Sequence, residues 1–418
     1  MRLVLTFLLV CATVSAQRVR TQPSALFTQV DGMLASLSRI TGWKVKRTVP
    51  SETLTKAEFA KLVEEGVSDA EEDKGTRAAE LTLKMFGLVP WNYNLARESA
   101  DLIEEQAAAF YDIKKKRLFV LDSVPDGPEQ RVALAHELAH ALADQQFGLR
   151  KFIESAKDDD AATARESVIE GQASWLSWAY MAEQAGGLPE VPASLLNELS
   201  DVGATGEDFP VLERTPLYIR ESLTFPYTEG MRFQDSIYRD LGSAAFDRLF
   251  RNPPLSTQEI LHPEAYADTL LPTHPEISKQ TLPNQGKNLR LLADGDVGEF
   301  DYSAILRQHT HSQFSGDEKA RAVASQWRGG AYRLYEDKQT KTPMLVHVSE
   351  WSSPQAAREF FRLYLEALQG KWKQLEVRSS SEDEVSGAGD TGDFMLRISG
   401  ATVQCIEGIA ASGKGTVK

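Results

Sequence analysis

The sequence predicts an α+β protein of two unequal parts, the first mainly helical and the second built from alternating strands and helices. In the first part, apolar residues recur every three to four positions over long stretches, the spacing of helices with one buried face. Residues 110–112 and 117–121 flank a charged turn and predict a β-hairpin within this part. After residue 288, short runs of β-branched and aromatic residues alternate with helical patterns.

The region before the hairpin, residues 17–100, is expected to be mostly helical. Helical spacing covers residues 26–40 and resumes near residue 55, where Thr53 and Thr55 are candidate N-caps. A further helix is expected over residues 95–109. The sequence leaves open whether this region is a removable, propeptide-like segment or an integral part of the fold.

The chain is organised around an H-E-x-x-H pentapeptide that begins at His136. On a helix, His136 and His140 lie one turn apart on the same face, so two imidazole nitrogens can bind one metal ion, for which zinc is the usual choice. Glu137 follows the first histidine directly, where its carboxylate can act as the general base of a hydrolysis. These three residues are therefore the candidate metal ligands and catalytic base.

The flanking residues predict that this pentapeptide lies in a buried helix. Residues 126–129 offer an N-cap candidate, a proline suited to the first turn and an acidic residue near the positive end of the helix dipole. Alanine, leucine and valine fill most of residues 132–143. Buried histidine and glutamate side chains need polar partners, and a bound metal ion would provide one.

A second long helix, predicted over residues 161–183, offers the third metal ligand. A catalytic zinc ion typically has three protein ligands and keeps its fourth position for water. Glu170 is the preferred ligand. Glu166 lies one turn earlier on the same face, where it could orient a ligating histidine or exchange roles with Glu170.

His136-Glu137-x-x-His140 followed by Glu170 in Glu-Gly-x-Ala resembles the gluzincin zinc metallopeptidases, and residues 134–144 are similar to the metal-binding helix of the thermolysin type. The resemblance covers residues 107–185. The spacing from His140 to Glu170 is longer than in thermolysin-type enzymes. The metzincin pattern fails, because Ala143 and Gln146 stand where that group has glycine and histidine.

This resemblance implies a zincin-like metallopeptidase domain over residues 101–285, one catalytic zinc ion per chain and hydrolysis of peptide bonds in a peptide or protein substrate. In such enzymes the edge strand beside the metal helix binds the substrate as an added strand, and the predicted hairpin is the candidate for that strand. Two further residues are candidates to stabilise the oxyanion, Tyr227 and His262. Residues 225–230 are expected to precede a helix over residues 231–241.

A linker at residues 283–286 is expected to precede an accessory α+β domain over residues 288–418. Helices are predicted over residues 316–327 and 354–370, and strands over residues 331–336, 344–349, 394–398 and 402–406. Gly329-Gly330 and residues 379–392 are expected to form turns. No catalytic motif is recognised in this part.

The first 16 residues have the charged start, short apolar run and small-residue end of a signal peptide, which predicts a secreted protein without membrane insertion after its removal. A net charge of −14 argues against nucleic acid as a partner. After cleavage only Cys405 remains, so no intramolecular disulfide is expected. The alternative to the enzyme is an inactive binding or assembly protein that keeps the zincin scaffold and a structural zinc ion.

Overall fold

The computed structural model describes residues 29–122, 127–192, 194, 196, 209–277, 288–310 and 316–409. Within these ranges the chain forms 15 helices and ten strands, and the predicted α+β class is confirmed. The predicted signal peptide, the linker at residues 283–286 and the N-cap candidate Asp126 lie outside the described residues.

The helices have the following bounds: α1 Val30–Thr41, α2 Lys56–Glu72, α3 Lys74–Phe86, α4 Leu95–Gln106, α5 Pro128–Phe147, α6 Leu149–Glu154, α7 Asp159–Gln184, α8 Pro210–Arg214, α9 Leu217–Leu241, α10 Ala244–Arg251, α11 Thr257–Leu261, α12 Pro263–Ala267, α13 Glu299–His309, α14 Gly316–Ala324 and α15 Pro354–Lys371. The strands are β1 Ser51–Leu54, β2 Ala109–Asp112, β3 Arg117–Leu121, β4 Leu289–Asp296, β5 Trp327–Asp337, β6 Pro343–Trp351, β7 Glu376–Ser380, β8 Glu384–Gly389, β9 Gly392–Ser399 and β10 Thr402–Ile409. No helix among the described residues has the length and apolar content that crossing a membrane requires.

The strands form two sheets. The predicted hairpin is confirmed as β2 and β3, and β1 pairs with β3 in parallel, so the small sheet has the order β1-β3-β2. β4 to β10 form a seven-stranded antiparallel sheet in the order β4-β5-β6-β10-β9-β8-β7. Strand β2 is an edge of the small sheet and lies against α5.

The region before the hairpin, residues 29–108, packs into the main hydrophobic core and the small sheet. Helix α1 buries Met33, Leu34 and Leu37 in the main hydrophobic cluster, and β1 contributes a strand to the small sheet. Thr55 caps α2 with a reciprocal capping box to Glu58, whereas Thr53 lies inside β1. The region is therefore not helical throughout, because the parallel pairing of residues 51–54 with β3 places them in a sheet.

Helices α7 and α9 cross closely, and two glycines make this crossing possible. A Cβ atom on Gly171 would lie 2.1 Å from the backbone carbon of Gly230, and one on Gly230 would lie 2.3 Å from the carbonyl oxygen of Ser167. The sequence predicted that residues 225–230 precede a helix, but they lie inside α9. Their apolar face is buried against α7, and the stabilisation from this packing exceeds the cost of the backbone hydrogen bond that Pro226 cannot make.

In the C-terminal part, the predicted helices and strands are found, but the turn predicted at Gly329-Gly330 is wrong and the turn predicted over residues 379–392 is confirmed only at residues 381–383 and 390–391. Gly329 and Gly330 lie inside β5, where a Cβ atom would lie 2.2 Å from the Thr273 carbonyl oxygen and 2.4 Å from that of Val297. They are glycines because other chain segments approach the strand closely. Residues 379–392 contain the end of β7 and all of β8.

The two parts share an interface that includes the N-terminus of α7. Asp296 of β4 accepts hydrogen bonds from the backbone N–H groups of Asp159 and Asp160, at 2.8 and 2.9 Å. The Asp160 carboxylate in turn accepts from the Thr257 hydroxyl at 2.6 Å and from its N–H at 3.1 Å. The C-terminal sheet thus holds the start of the helix that carries Glu170.

Candidate metal centre

Helix α5 presents the two histidines of the pentapeptide to one point. It begins at Pro128, with the extended residue Gly127 at its N-cap position, and ends at Phe147, followed by Gly148, whose φ of 70° suits glycine. His136 Nε2 and His140 Nε2 lie 3.0 Å apart, with the two rings nearly perpendicular at 87°. The structure thus brings the two predicted ligands together.

Helix α7 brings Glu170 to the same point. One oxygen atom, Oε2, lies 3.1 Å from His136 Nε2 and 3.2 Å from His140 Nε2. The three side chains are only 10–14% exposed. Burial by itself raises the pKa of the Glu170 carboxyl, but the two histidines beside it together hold that pKa below its ordinary value.

The spacing of these three atoms fits a tetrahedral zinc ion. Zinc bonds of about 2.0–2.1 Å in a tetrahedron separate ligand atoms by about 3.3 Å, close to the observed separations. Two imidazoles and one carboxylate are a ligand set of catalytic zinc sites, which keep the fourth position open. The residues present therefore fit a zinc ion.

Glu137 lies beside the three candidate ligands and is fixed from another element. Its carboxylate comes within 4.8 Å of a ring nitrogen of each histidine. Its Oε2 accepts a hydrogen bond of 2.7 Å from the backbone N–H of Tyr111 in β2. Desolvation by burial raises the Glu137 pKa to about 7, with a further increase from the Glu170 charge, against the opposing effects of His136 and the Tyr111 N–H.

Tyr227, one of the two predicted oxyanion candidates, reaches this centre from α9. Its ring is stacked on His136 with centroids 5.8 Å apart, and it lines the same cleft as Glu137 and Glu170. Burial and the nearby carboxylates raise its pKa well above the ordinary value, so the hydroxyl keeps its proton as a donor. The crossing at Gly171 and Gly230 sets this position, since Gly171 follows Glu170 directly and Gly230 lies one turn after Tyr227.

His262, the other candidate, lies elsewhere. Its Nε2 is 2.8 Å from Glu299 Oε1 on α13, and this contact raises the His262 pKa despite the opposing effect of burial. It does not line the cleft that the described residues form around the centre. Glu166 is more exposed than Glu170, and Glu170 is the glutamate of α7 whose oxygen contacts both histidines.

The centre lies in a cleft of about 490 Å³. Its wall is largely apolar and includes the side chains of Phe59, Ile103, Phe110, Val132, Trp178 and Leu223. Strand β2 forms one side. In an antiparallel pair, the backbone groups of alternate residues point toward the partner strand and away from it. The Leu121 N–H bonds to the Ala108 carbonyl, so the backbone groups of Ala109 and Tyr111 point away from β3. The Tyr111 N–H is already bonded to Glu137, so the N–H and C=O of Ala109 and the C=O of Tyr111 are the groups suited to pair with an extended peptide.

Two residues of this region were missed by sequence reasoning, Tyr111 and Asp144. The Tyr111 hydroxyl donates a hydrogen bond of 2.9 Å to Asp144 Oδ2. A signal was present, since Asp144 follows Glu137 by seven residues and so lies on the same helix face two turns later. The position of Tyr111 depends on the docking of β2 against α5, which no local pattern encodes.

A second group of potential ligands, His347, Cys405 and Glu407, lies in the C-terminal sheet and is fully buried. Its polar atoms already have protein partners. Tyr364 hydroxyl lies 2.9 Å from His347 Nε2 and 3.0 Å from Glu407 Oε1, and Lys371 pairs with the other Glu407 oxygen. The group is a hydrogen-bonded network of the core, in which Cys405 is fully buried.

A family model described as "Domain of unknown function (DUF8575)" matches residues 289–416. These residues contain the seven-stranded sheet and leave the candidate metal centre outside the match. No curated protein matches the chain. No solved structure matches it.

Proposed function

We propose that this protein is a secreted zinc-dependent metallopeptidase of the gluzincin type, with a zincin-like domain built around α5 and α7. The observation that carries the proposal is the meeting of His136, His140 and Glu170 within 3.0–3.2 Å of one another, beside Glu137 and in an open cleft. The two histidines and Glu170 would hold the zinc ion. When bound, zinc acts as a Lewis acid that polarises a carbonyl group and lowers the pKa of water.

The residues of the chain divide the remaining chemistry. Glu137, held through Oε2 by the Tyr111 N–H, accepts a proton from the attacking water at its other oxygen and passes it to the leaving amine. Tyr227 offers a hydroxyl donor to the oxyanion that develops on the scissile carbonyl. His262 is left out of this scheme because its partner is Glu299.

The cleft supports a peptide as substrate. Strand β2 offers the backbone groups of Ala109 and the Tyr111 carbonyl for pairing with an extended chain, as in recognition by strand addition. The apolar wall with Phe110, Trp178 and Leu223 suits a large apolar side chain next to the scissile bond. The presence of a general base beside an open cleft favours an enzyme over a protein with a purely structural zinc ion.

The test is to purify the mature protein, measure its zinc content and assay cleavage of a mixed peptide library. We expect one zinc per chain, cleavage that chelation abolishes and zinc restores, and a loss of roughly 10²–10⁴-fold in kcat for Glu137→Gln with zinc retained. Glu104→Gln, an exposed site on α4, is the matched control and should behave as wild type.

Ligand variants separate the two glutamates of α7. Glu170→Gln should lose zinc, whereas Glu166→Gln, one turn earlier on the same helix, should keep it. Zinc binding without cleavage of any peptide by the wild type would refute the enzyme and leave the structural-zinc alternative. Full activity of Glu137→Gln would refute the mechanism.

A further inference from the structure

Tyr111 contacts the metal-binding helix at two points. Its backbone N–H donates to Glu137 Oε2 at 2.7 Å, and its hydroxyl donates to Asp144 Oδ2 at 2.9 Å. Glu137 and Asp144 are seven residues apart, so they share one face of α5 two turns apart. One residue of the edge strand therefore spans this face and joins the candidate general base to Asp144.

Asp144 is a fixed point on that face. Its side chain is fully buried, and Lys116 Nζ lies 2.8 and 2.7 Å from its two oxygens. The Leu149 N–H donates to Oδ1 at 3.1 Å, and Arg47 lies 3.4 Å from Oδ2. A buried carboxylate with several partners on different elements is held in one orientation, because losing any partner leaves a buried charge less well paired.

The hairpin turn shows the same constraint. Lys116 has a φ of 54°, in the left-handed region that residues other than glycine seldom adopt. Asp112 Oδ1 holds the turn by accepting hydrogen bonds from the N–H groups of Lys114 and Lys115, both at 2.8 Å, and the Lys116 side chain at its end pairs with Asp144. The turn after β2 and the Tyr111 hydroxyl are thus both anchored on Asp144.

We propose that Asp144 and Tyr111 are positioning residues that act through the Tyr111 N–H to orient the Glu137 carboxylate, an inference that rests on the proposed function. With Oε2 bound to Tyr111, Oε1 is the oxygen presented for proton transfer. The pair also fixes the register of β2 beside the centre, and with it the Ala109 groups offered to the substrate. Neither residue touches the reacting atoms in this scheme.

The experiment uses Tyr111→Phe, which keeps the ring and backbone and removes the hydroxyl. Hydrogen exchange of the backbone amide of residue 111, resolved by residue-level fragmentation, should be about ten- to hundredfold faster in this variant than in wild type, in both metal-free and zinc-loaded protein. In the zinc-loaded protein, kcat should fall about tenfold or more while KM changes less than about threefold and zinc content stays at one per chain. The matched control is Tyr266→Phe, which also loses a phenol hydrogen bond, to the Asn252 carbonyl at 2.8 Å, and should leave both readouts unchanged.

A second variant, Asp144→Asn, tests whether the two residues act as one unit. If they do, the double variant should lose little more kcat than the more damaging single variant. The proposal is overturned if the kcat losses of the two single variants multiply in the double variant. It is also overturned if the backbone amide of residue 111 exchanges in Tyr111→Phe at the wild-type rate. This second measurement decides the question even if Asp144→Asn does not fold. A wild-type protein that binds zinc but cleaves no peptide refutes the proposed function, and amide exchange still shows separately whether the Tyr111 hydroxyl holds the N–H on Glu137.

Discussion

Replacing Gly171 by alanine tests whether the close crossing of α7 and α9 builds the candidate metal centre. Two effects oppose each other. Alanine is a better helix former than glycine by about 1 kcal/mol, which favours the variant. However, the new Cβ atom would lie 2.1 Å from the backbone carbon of Gly230, about 1.3 Å short of the 3.4 Å at which ordinary contact begins.

The steric effect should win, because the Cβ atom is fixed to the backbone of α7 and its neighbour is backbone of α9, so neither can rotate away. Inserting a methyl group into a packed interior costs about 1–3 kcal/mol, and a backbone contact lies at the upper end. We therefore expect Gly171→Ala to lower the free energy of unfolding by about 1–2 kcal/mol after the gain in helix propensity. Since Gly171 follows Glu170 and faces the helix of Tyr227, separating the helices should also weaken zinc binding.

The assay is urea unfolding of the metal-free protein, with zinc affinity measured by competition with a chelator. Gly32→Ala is the matched control, because Gly32 lies in α1 and a Cβ atom added there would have no neighbour within 4 Å, so this variant should be more stable by up to about 1 kcal/mol. A Gly171→Ala protein as stable as wild type and with unchanged zinc affinity would refute the reasoning.

Three further outcomes are expected. Trp43→Ala should lower the unfolding free energy by about 3–5 kcal/mol, because Trp43 is buried among Phe147, Phe246 and Phe250. The control Trp91→Ala replaces an exposed tryptophan and should change this free energy by less than about 0.5 kcal/mol. Equal effects of the two variants in urea unfolding would contradict an integral N-terminal region. Burial, and after it the charges of Asp158 and Asp159, raise the Asp296 pKa above its ordinary value, so its ionisation opposes folding as pH rises above about 4. Calorimetry should find a smaller loss of stability with rising pH in Asp296→Asn than in wild type, and an identical pH profile would refute the assignment. His262→Gln should keep one zinc per chain and change kcat by less than about threefold, and loss of zinc on elemental analysis would return His262 to the site.

Much of the fold follows from local patterns. The apolar spacing predicted α2, α5, α7 and α15, and the alternation of strands and helices predicted the C-terminal part, because these patterns depend on near neighbours in the chain. The failures have a common cause. Gly329, Gly330 and Pro226 suggest turns or helix ends locally, but close approach of other segments and burial of an apolar face decide their conformations.

The site divides in the same way. His136, Glu137 and His140 were predictable because a helix fixes their relative positions within two turns. Glu170 could be proposed from a second helix, but the preference over Glu166 depended on how the two helices dock, which appears only in the contacts of Oε2 with both histidines. Tyr227 and His262 looked alike in sequence, and only the packing of α9 and α13 separated them.

The sequence by itself therefore determined the chemistry that helix α5 can offer, two imidazoles and one carboxylate on adjoining positions of a buried helix. Tertiary structure decided which residues of other helices and strands join this site. The glycine crossing of α7 and α9 placed Glu170 and Tyr227, and the docking of the edge strand placed the Tyr111 N–H on Glu137. The physical reason is that helical spacing is set by near-neighbour backbone geometry, whereas contacts between elements depend on burial and steric fit across distant parts of the chain.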